Sequence, residues 1–188
     1  MADAPKLDRE SIVREALALL AEGGLAAVSL RRVAARLDAR APSLYWHVAD
    51  KQALYRLMSQ TVFRACLAAV PPAADWQGWL RGFALALWEG QRATPDAHRL
   101  ILTTRTTGGG IATDEVIGPL VALGLPAAVA APAQASVQAL VTGWTTLRGA
   151  DAADVDPAFL DGLEALIAGW EARKSGSTDA VPAAMISG

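Results

Sequence analysis

Residues 29–51, Ser-Leu-Arg-Arg-Val-Ala-Ala-Arg-Leu-Asp-Ala-Arg-Ala-Pro-Ser-Leu-Tyr-Trp-His-Val-Ala-Asp-Lys, constrain the fold of this chain more than any other stretch. Ser29 stands where a helix N-cap belongs, and Leu30, Val33, Ala34 and Leu37 then share one helical face at i, i+3, i+4 and i+7. Arg31, Arg32 and Arg36 fall largely off that stripe, toward solvent or phosphate. Asp38 follows at a turn position, and Pro42 suits the first turn of a second helix because it has no N–H to lose there. Leu44 and Val48, four apart, belong to a core, which leaves Tyr45, Trp46 and His47 side by side on the remaining surface. A cationic bracing helix, a tight turn and a short helix rich in polar and aromatic groups make a helix-turn-helix, a unit that inserts its second helix into a DNA groove.

Composition sets the surroundings of this motif. Of the 188 residues, 53% are hydrophobic, which argues for a packed helical protein and against disorder. The formal net charge of −2 hides an asymmetry: residues 1–60 carry a net +2 and residues 61–188 a net −4, with five basic against two acidic residues inside 29–51. An acidic protein binds DNA when its positive charge is concentrated where the phosphates lie. No apolar run reaches the roughly 18 residues of a membrane span, and the first residues show no signal-peptide core. The single cysteine, Cys66, has no partner for an internal disulfide and reads as a small buried apolar residue. The expectation is a cytoplasmic protein without a membrane partner.

The pattern along the chain is all-α. Asp8 caps a first helix whose apolar face is Val13, Leu17 and Leu20, and Gly23-Gly24 ends it. Asp50 caps a fourth helix, about 51–69, with Leu54, Met58 and Val62 on one face, and Pro71-Pro72 closes it. Further helices are expected near 75–93, 96–105, 114–124, 127–149 and 157–173. They are separated by Thr94-Pro95, by Gly108-Gly109-Gly110, by Gly124-Leu125-Pro126 and by the acidic 149–156 segment. The expected organisation is a helix-turn-helix domain at 1–50, a connecting helix at 51–72, a helical ligand-binding and dimerisation domain at 73–174, and a disordered tail at 175–188.

Leu44-Tyr45-Trp46-His47-Val48, followed by Lys51 and preceded by an Arg-Arg-x-Ala-x-x-Leu helix, resembles the tetracycline repressor family of regulators. The resemblance covers residues 7–60: Leu7-Asp8-Arg9-Glu10-Ser11, the Ala-Leu-x-Leu-Leu of 16–20, Gly24-Leu25, and Pro42 through Val48. Beyond residue 72 it thins to Trp76-Gln77, Leu80-Arg81 and Thr104-Arg105. It implies a DNA-binding transcriptional regulator, most simply a repressor released by a small effector, working as a homodimer on an inverted-repeat operator in double-stranded DNA. Two positions depart from the family pattern. Asp38 replaces the common turn glycine, which a positive φ tolerates better in Asp than in most residues. Ala41 replaces a polar residue of the reading helix, so base preference there should differ from that of the tetracycline operator.

On this reading Ala41, Pro42, Ser43, Tyr45, Trp46 and His47 crowd the first turns of the helix that enters the major groove. Ser43 addresses a base edge or a phosphate, Tyr45 a thymine methyl or a phosphate, and His47 the backbone. Lys51 is an electrostatic phosphate clamp, and Arg31 reaches a base or a backbone oxygen. Each residue has a plainer reading: Tyr45 and Trp46 as a packing pair, His47 as a surface or capping histidine, Lys51 as a solvated charge.

For the rest of the chain, the resemblance places an effector cavity against Leu67, Phe83, Leu87, Ile101, Leu102 and Trp144, with Arg105 and Thr106 as polar anchors. Because Leu67, Phe83 and Ile101 replace polar contacts, the expected effector is largely apolar and uses no metal; no cofactor is expected either. The same residues read equally as core, and Arg105 as a partner of Asp114 or Glu115. Val137, Leu140 and Val141 on one helix and Leu163, Ile167 and Trp170 on another form apolar stripes suited to a four-helix dimer interface, or to burial within one chain. Two histidines and one cysteine, none in nucleophile–base spacing, leave little for an enzyme. Gly108-Gly109-Gly110 follows no strand and lacks the Lys-Ser/Thr ending of a phosphate loop. The alternative function is a helical protein-binding module without DNA binding; retention of DNA separates the two.

Overall fold

The computed structural model describes residues 7–105, 113–148 and 154–176. All the secondary structure among them is helical. Helix α1 (Arg9–Ala27) starts on a reciprocal cap: the Asp8 carboxylate accepts from the Ser11 N–H at 2.8 Å while the Asp8 N–H donates to Ser11 Oγ at 3.1 Å. Gly23 and Gly24 break its regular backbone, Gly24 with φ +65, so the periodic helix ends where the glycine pair stands. Helix α2 (Leu30–Arg36) is capped by Ser29 Oγ, α4 (Lys51–Ala68) by Asp50 and α5 (Trp76–Ala93) by Asp75. Each short polar side chain satisfies an N–H that the helix cannot satisfy itself. Between α2 and α4, α3 is a single turn, Ala41–Leu44. The chain continues through α6 (Ala97–Arg105), α7 (Thr113–Ala122), α8 (Ala127–Arg148) and α9 (Pro157–Gly176).

Buried side chains gather in two clusters. The first joins Ile12, Ala16 and Leu20 of α1, Leu30, Val33 and Leu37 around α2, Leu44 and Val48, and Leu54 and Met58 of α4. The second joins Val62, Phe63 and Cys66 of α4 to α5, α7, α8 and α9. Helix α4 is therefore shared, its first half in one core and its second half in the other, because its apolar face continues unbroken past Met58. Leu17 packs against both clusters. One exchange was not visible in the sequence: Leu100 of α6, fully buried, belongs to the first core.

Helix α9 runs three residues past its expected end and takes in Ser175, the first residue of the expected tail. Its last turn is held by Ser175 Oγ donating to the Glu171 carbonyl at 3.1 Å, and by Arg173 and Lys174, which lie 5.4 Å and 5.9 Å from the Trp170 and Trp76 rings. Residues 177–188 lie outside the described residues. No helix of the described residues is long and apolar enough to cross a membrane.

Candidate nucleic-acid interface

The turn between α2 and α3 decides where the aromatic residues point. Asp38 adopts φ +49, the Ala39 N–H reaches back to the Ala34 carbonyl at 2.9 Å, and the Asp38 N–H to that of Ala35 at 3.4 Å. That paired geometry is a Schellman cap with aspartate in the left-handed position usually held by glycine. The chain then re-enters helix at Ala41. Leu44 (0% exposed) and Val48 (1%) anchor α3 and the turn after it in the first core. The His47 and Val48 N–H groups both donate to the Leu44 carbonyl at 2.9 Å, so the helical path continues one turn beyond α3. Arg9 Nε donates to the His47 carbonyl at 3.0 Å and ties this turn to the start of α1.

With Leu44 and Val48 facing in, their neighbours face out. Trp46 is 90% exposed and Tyr45 55%, the two most exposed aromatic side chains among the described residues. Both rings are thus open to solvent and available for contact. The packing-pair reading of Tyr45 and Trp46 does not survive. Pro42 is exposed, and Ala41, Ser43 and His47 are half-buried. Lys51 is exposed at the first turn of α4, its Nζ 5.2 Å from the Tyr55 ring centre, and the Tyr55 hydroxyl donates to the Leu25 carbonyl at 3.3 Å.

The arginines of α2 divide. Arg31 is exposed with no ion pair among the described residues. Arg32 donates to the Ala27 carbonyl at 3.2 Å. Arg36 is committed to Glu22 of α1, with Glu15 at 3.8 Å, and its hydrogen bond holds the Glu22 carboxyl below the ordinary glutamate range. Of the three, Arg31 alone has no ion pair or hydrogen bond among the described residues, and the pairing of Arg36 with an acid on another helix is invisible to any local sequence pattern.

Toward the second core the candidate residues separate. Phe83 and Leu87 of α5 are fully buried, Phe83 stacking on Trp79 at 5.3 Å and meeting Phe63 edge-on at 5.9 Å. Ile101 is 3% exposed, and Leu67 and Trp144 are half-buried. The side chains of Leu102 and Arg105, and all of Thr106, lie outside the described residues. Glu115, offered above as a partner for Arg105, is held by Arg64 of α4 through two 3.0 Å hydrogen bonds.

The interface stripes need correction. Val137, Val141, Leu163 and Ile167 are buried at 0–2% exposure within the protomer, where α8 packs against α9 and α5. Leu140 and Trp170 are half-buried at the edge of the same core, with Trp170 Nε1 donating to Ser136 Oγ at 2.9 Å. Val137, Val141, Leu163 and Ile167 face inward because both helices are apolar on more than one side, and the more regular stripe is the intramolecular one; Leu140 and Trp170 keep part of their surface exposed. The exposed positions include small residues, Ala139 and Gly143 on α8 and Ala165, Ala168 and Ala172 on α9, together with one large apolar side chain at the end of α8, Leu147.

Sequence reasoning missed Asp96. It sits at φ +56 between α5 and α6, and its Oδ2 accepts the Leu25 N–H at 2.8 Å, across 71 positions of sequence. That hydrogen bond holds the carboxyl below the usual aspartate range, burial opposing it and Arg99, 3.4 Å away, adding to it. Gly24 permits the contact, since a Cβ there would stand 2.5 Å from Asp96 Oδ2. Together with Leu100, this pins α6 to the turn that leads into α2.

A helix-turn-helix on the N-terminal core, sharing one long helix with a larger helical body, defines a class of regulatory protein. Residues 12–58 match the family model described as "Bacterial regulatory proteins, tetR family". The tetracycline repressor protein class C of Escherichia coli is 33% identical over 102 residues, covering 53% of this chain and 47% of the relative. Among solved structures, a TetR variant from Acinetobacter baumannii AYE in complex with minocycline superposes with a TM-score of 0.74 at 29% identity, over 90% of this chain and 99% of that one. BioQ with its double-stranded DNA operator superposes with a TM-score of 0.72 at 25% identity, over 89% and 99%. Residues 12–58 carry the similarity to the tetR family of bacterial regulatory proteins, and the fold of the chain is similar to that of these solved structures. Its aligned part spans about half the length of the curated relatives it matches.

Proposed function

We propose that this protein is a DNA-binding transcriptional regulator, in its simplest form a repressor that a small apolar effector releases from an inverted-repeat operator. The observation that carries the reading is the outward display of Tyr45 and Trp46 on a turn whose other side is locked in the core by Leu44 and Val48. Exposed Lys51 and Arg31 flank it. Cations beside a groove-sized aromatic wedge supply phosphate attraction and base contact together. BioQ, with its operator in the solved complex, supports the DNA partner, and the minocycline complex of the TetR variant supports a small-molecule ligand. Catalysis forms no part of the reading, since the relatives are transcriptional regulators.

In this reading residues 1–50 read DNA, 51–72 connect, and 73–174 hold effector and partner. A two-fold pair of chains meets through the small-residue faces of α8 and α9 and presents two reading turns to half-sites about one helical turn, roughly 34–36 Å, apart. An effector that prefers the DNA-free arrangement weakens operator binding by its differential affinity for the two arrangements. Two mechanical links are available for this coupling: α4, common to both cores, and α6, attached to the α1–α2 turn through Asp96 and Leu100.

The test is a mobility shift with DNA from upstream of the chain's own gene, across a range of salt. Lys51→Ala should weaken binding to every sequence and flatten the salt slope by about 1. Changes at Ser43 or Tyr45 should alter which sequence is preferred. No DNA retention by the wild-type chain, or an unchanged salt slope in Lys51→Ala, defeats the respective assignment.

A further inference from the structure

A trough runs along the seam where α1 meets α4 and α5, lined on α5 by Gly82, Leu85, Ala86, Glu89 and Gly90 and not by Phe83. It encloses about 710 Å³ and is lined almost wholly by small or apolar side chains, among them Leu17, Ala65, Gly82, Ala86 and Gly90. That volume falls in the range of about 300–1,000 Å³ typical of small-molecule sites. Cys66 on its floor adds no charge, since burial pushes its thiol up. At Leu17 and Thr61 the trough adjoins a second hollow of about 490 Å³ with a different character. That hollow is lined by Arg9, Arg14 and Arg64 against a single acid of its own, Glu10. Arg64 is taken by Glu115 and Arg9 by the His47 carbonyl. Arg14 is exposed and has no ion pair or hydrogen bond among the described residues.

We propose that this seam binds a single-chain amphipathic carboxylate, its apolar chain in the trough and its head group on Arg14. The charge arrangement selects that class. An apolar trough alone takes any oily body, but one end opens onto an excess of guanidinium groups, which pair with a carboxylate in a planar two-point geometry that a neutral or cationic head cannot copy. The trough itself is lined by one acid, Glu89, and no cation, so an anionic head is disfavoured inside it and is left to the arginine hollow. The site is separate from the effector cavity proposed above and stands or falls without it.

Isothermal titration of the full chain with sodium dodecanoate, below its micelle-forming concentration, tests the proposal. Saturable binding of one molecule per chain is expected. Arg14→Glu should weaken it about tenfold, the worth of one charge-assisted pair. Ala65→Trp, at an exposed position, should fill the trough and remove binding while leaving the melting curve intact; Ala86→Phe serves the same purpose from α5. Dodecanol and dodecyltrimethylammonium should bind at least about tenfold more weakly than the carboxylate. Absence of saturable binding, full affinity in both trough-filling variants, or equal binding of the three head groups would each overturn the assignment.

Discussion

Asp38 holds a left-handed backbone, φ +49, where the geometry of α2's end favours glycine. The left-handed region costs a residue with a Cβ roughly 1–2 kcal/mol, and glycine recovers part of that at the expense of a more flexible unfolded chain. Asp38→Gly should therefore stabilise the protein by about 0.5–1 kcal/mol, read as a higher urea midpoint with unchanged slope. This feature was legible in the sequence because turn chemistry is local: Asp38 lies between two periodic helices, and few residue types tolerate the required φ. Leu44 and Val48 were legible for the same reason, their spacing alone placing both in the core. Arg36 was not. Its commitment to Glu22 is set by how α1 crosses α2, which no short window of sequence contains.

At the scale of the element, α6 is the least expected part. Its sequence promised a helix of the C-terminal body, yet its first turn is fastened to the N-terminal core by Leu100 and by the Asp96–Leu25 hydrogen bond. The Asp96 carboxyl is held below its usual range, so its contribution is fully present above about pH 4, the unfolded value, and fades as pH falls through the lower folded value. Asp96→Asn keeps a side chain that tolerates positive φ but removes the charge. It should cost about 1 kcal/mol at pH 7, and the difference from wild type should be smaller at pH 3, below the unfolded value. Urea unfolding at the two pH values checks the sign. An equal loss at both would show that shape, not charge, holds the turn. Asp96 was illegible beforehand because an aspartate after Thr-Pro reads as an ordinary loop residue, and its partner is a backbone N–H 71 positions away.

For the whole molecule, the all-α architecture and its order of helices followed from periodicity and caps, but the division between inside and outside on α8 and α9 did not. Both helices carry apolar or small residues on most of their surface, and a stripe pattern identifies a face only when the opposite face is polar. The two faces now make separable predictions. Trp170→Glu removes a side chain that packs at the intramolecular core and donates to Ser136, so it should lower the stability of the protomer itself. Ala139→Glu lies on the outward face and should leave the protomer folded, while placing an unpartnered charge in the proposed dimer contact at a cost of several kcal/mol. Sedimentation together with circular dichroism distinguishes them: folded monomers are expected for Ala139→Glu. A dimer as tight as wild type would remove this face from consideration.

The display of Trp46 has an optical consequence. Of the six tryptophans, Trp76, Trp79 and Trp88 are buried, Trp144 and Trp170 are half-buried, and Trp46 alone stands in water. A charged collisional quencher such as iodide should therefore extinguish one component of the emission, the reddest, and spare the rest. Trp46→Phe should abolish that component without altering the melting curve. If the α3 turn enters a groove, bound DNA should shield the same component from iodide, so that the side chain assigned to contact also reports it, with no dye attached.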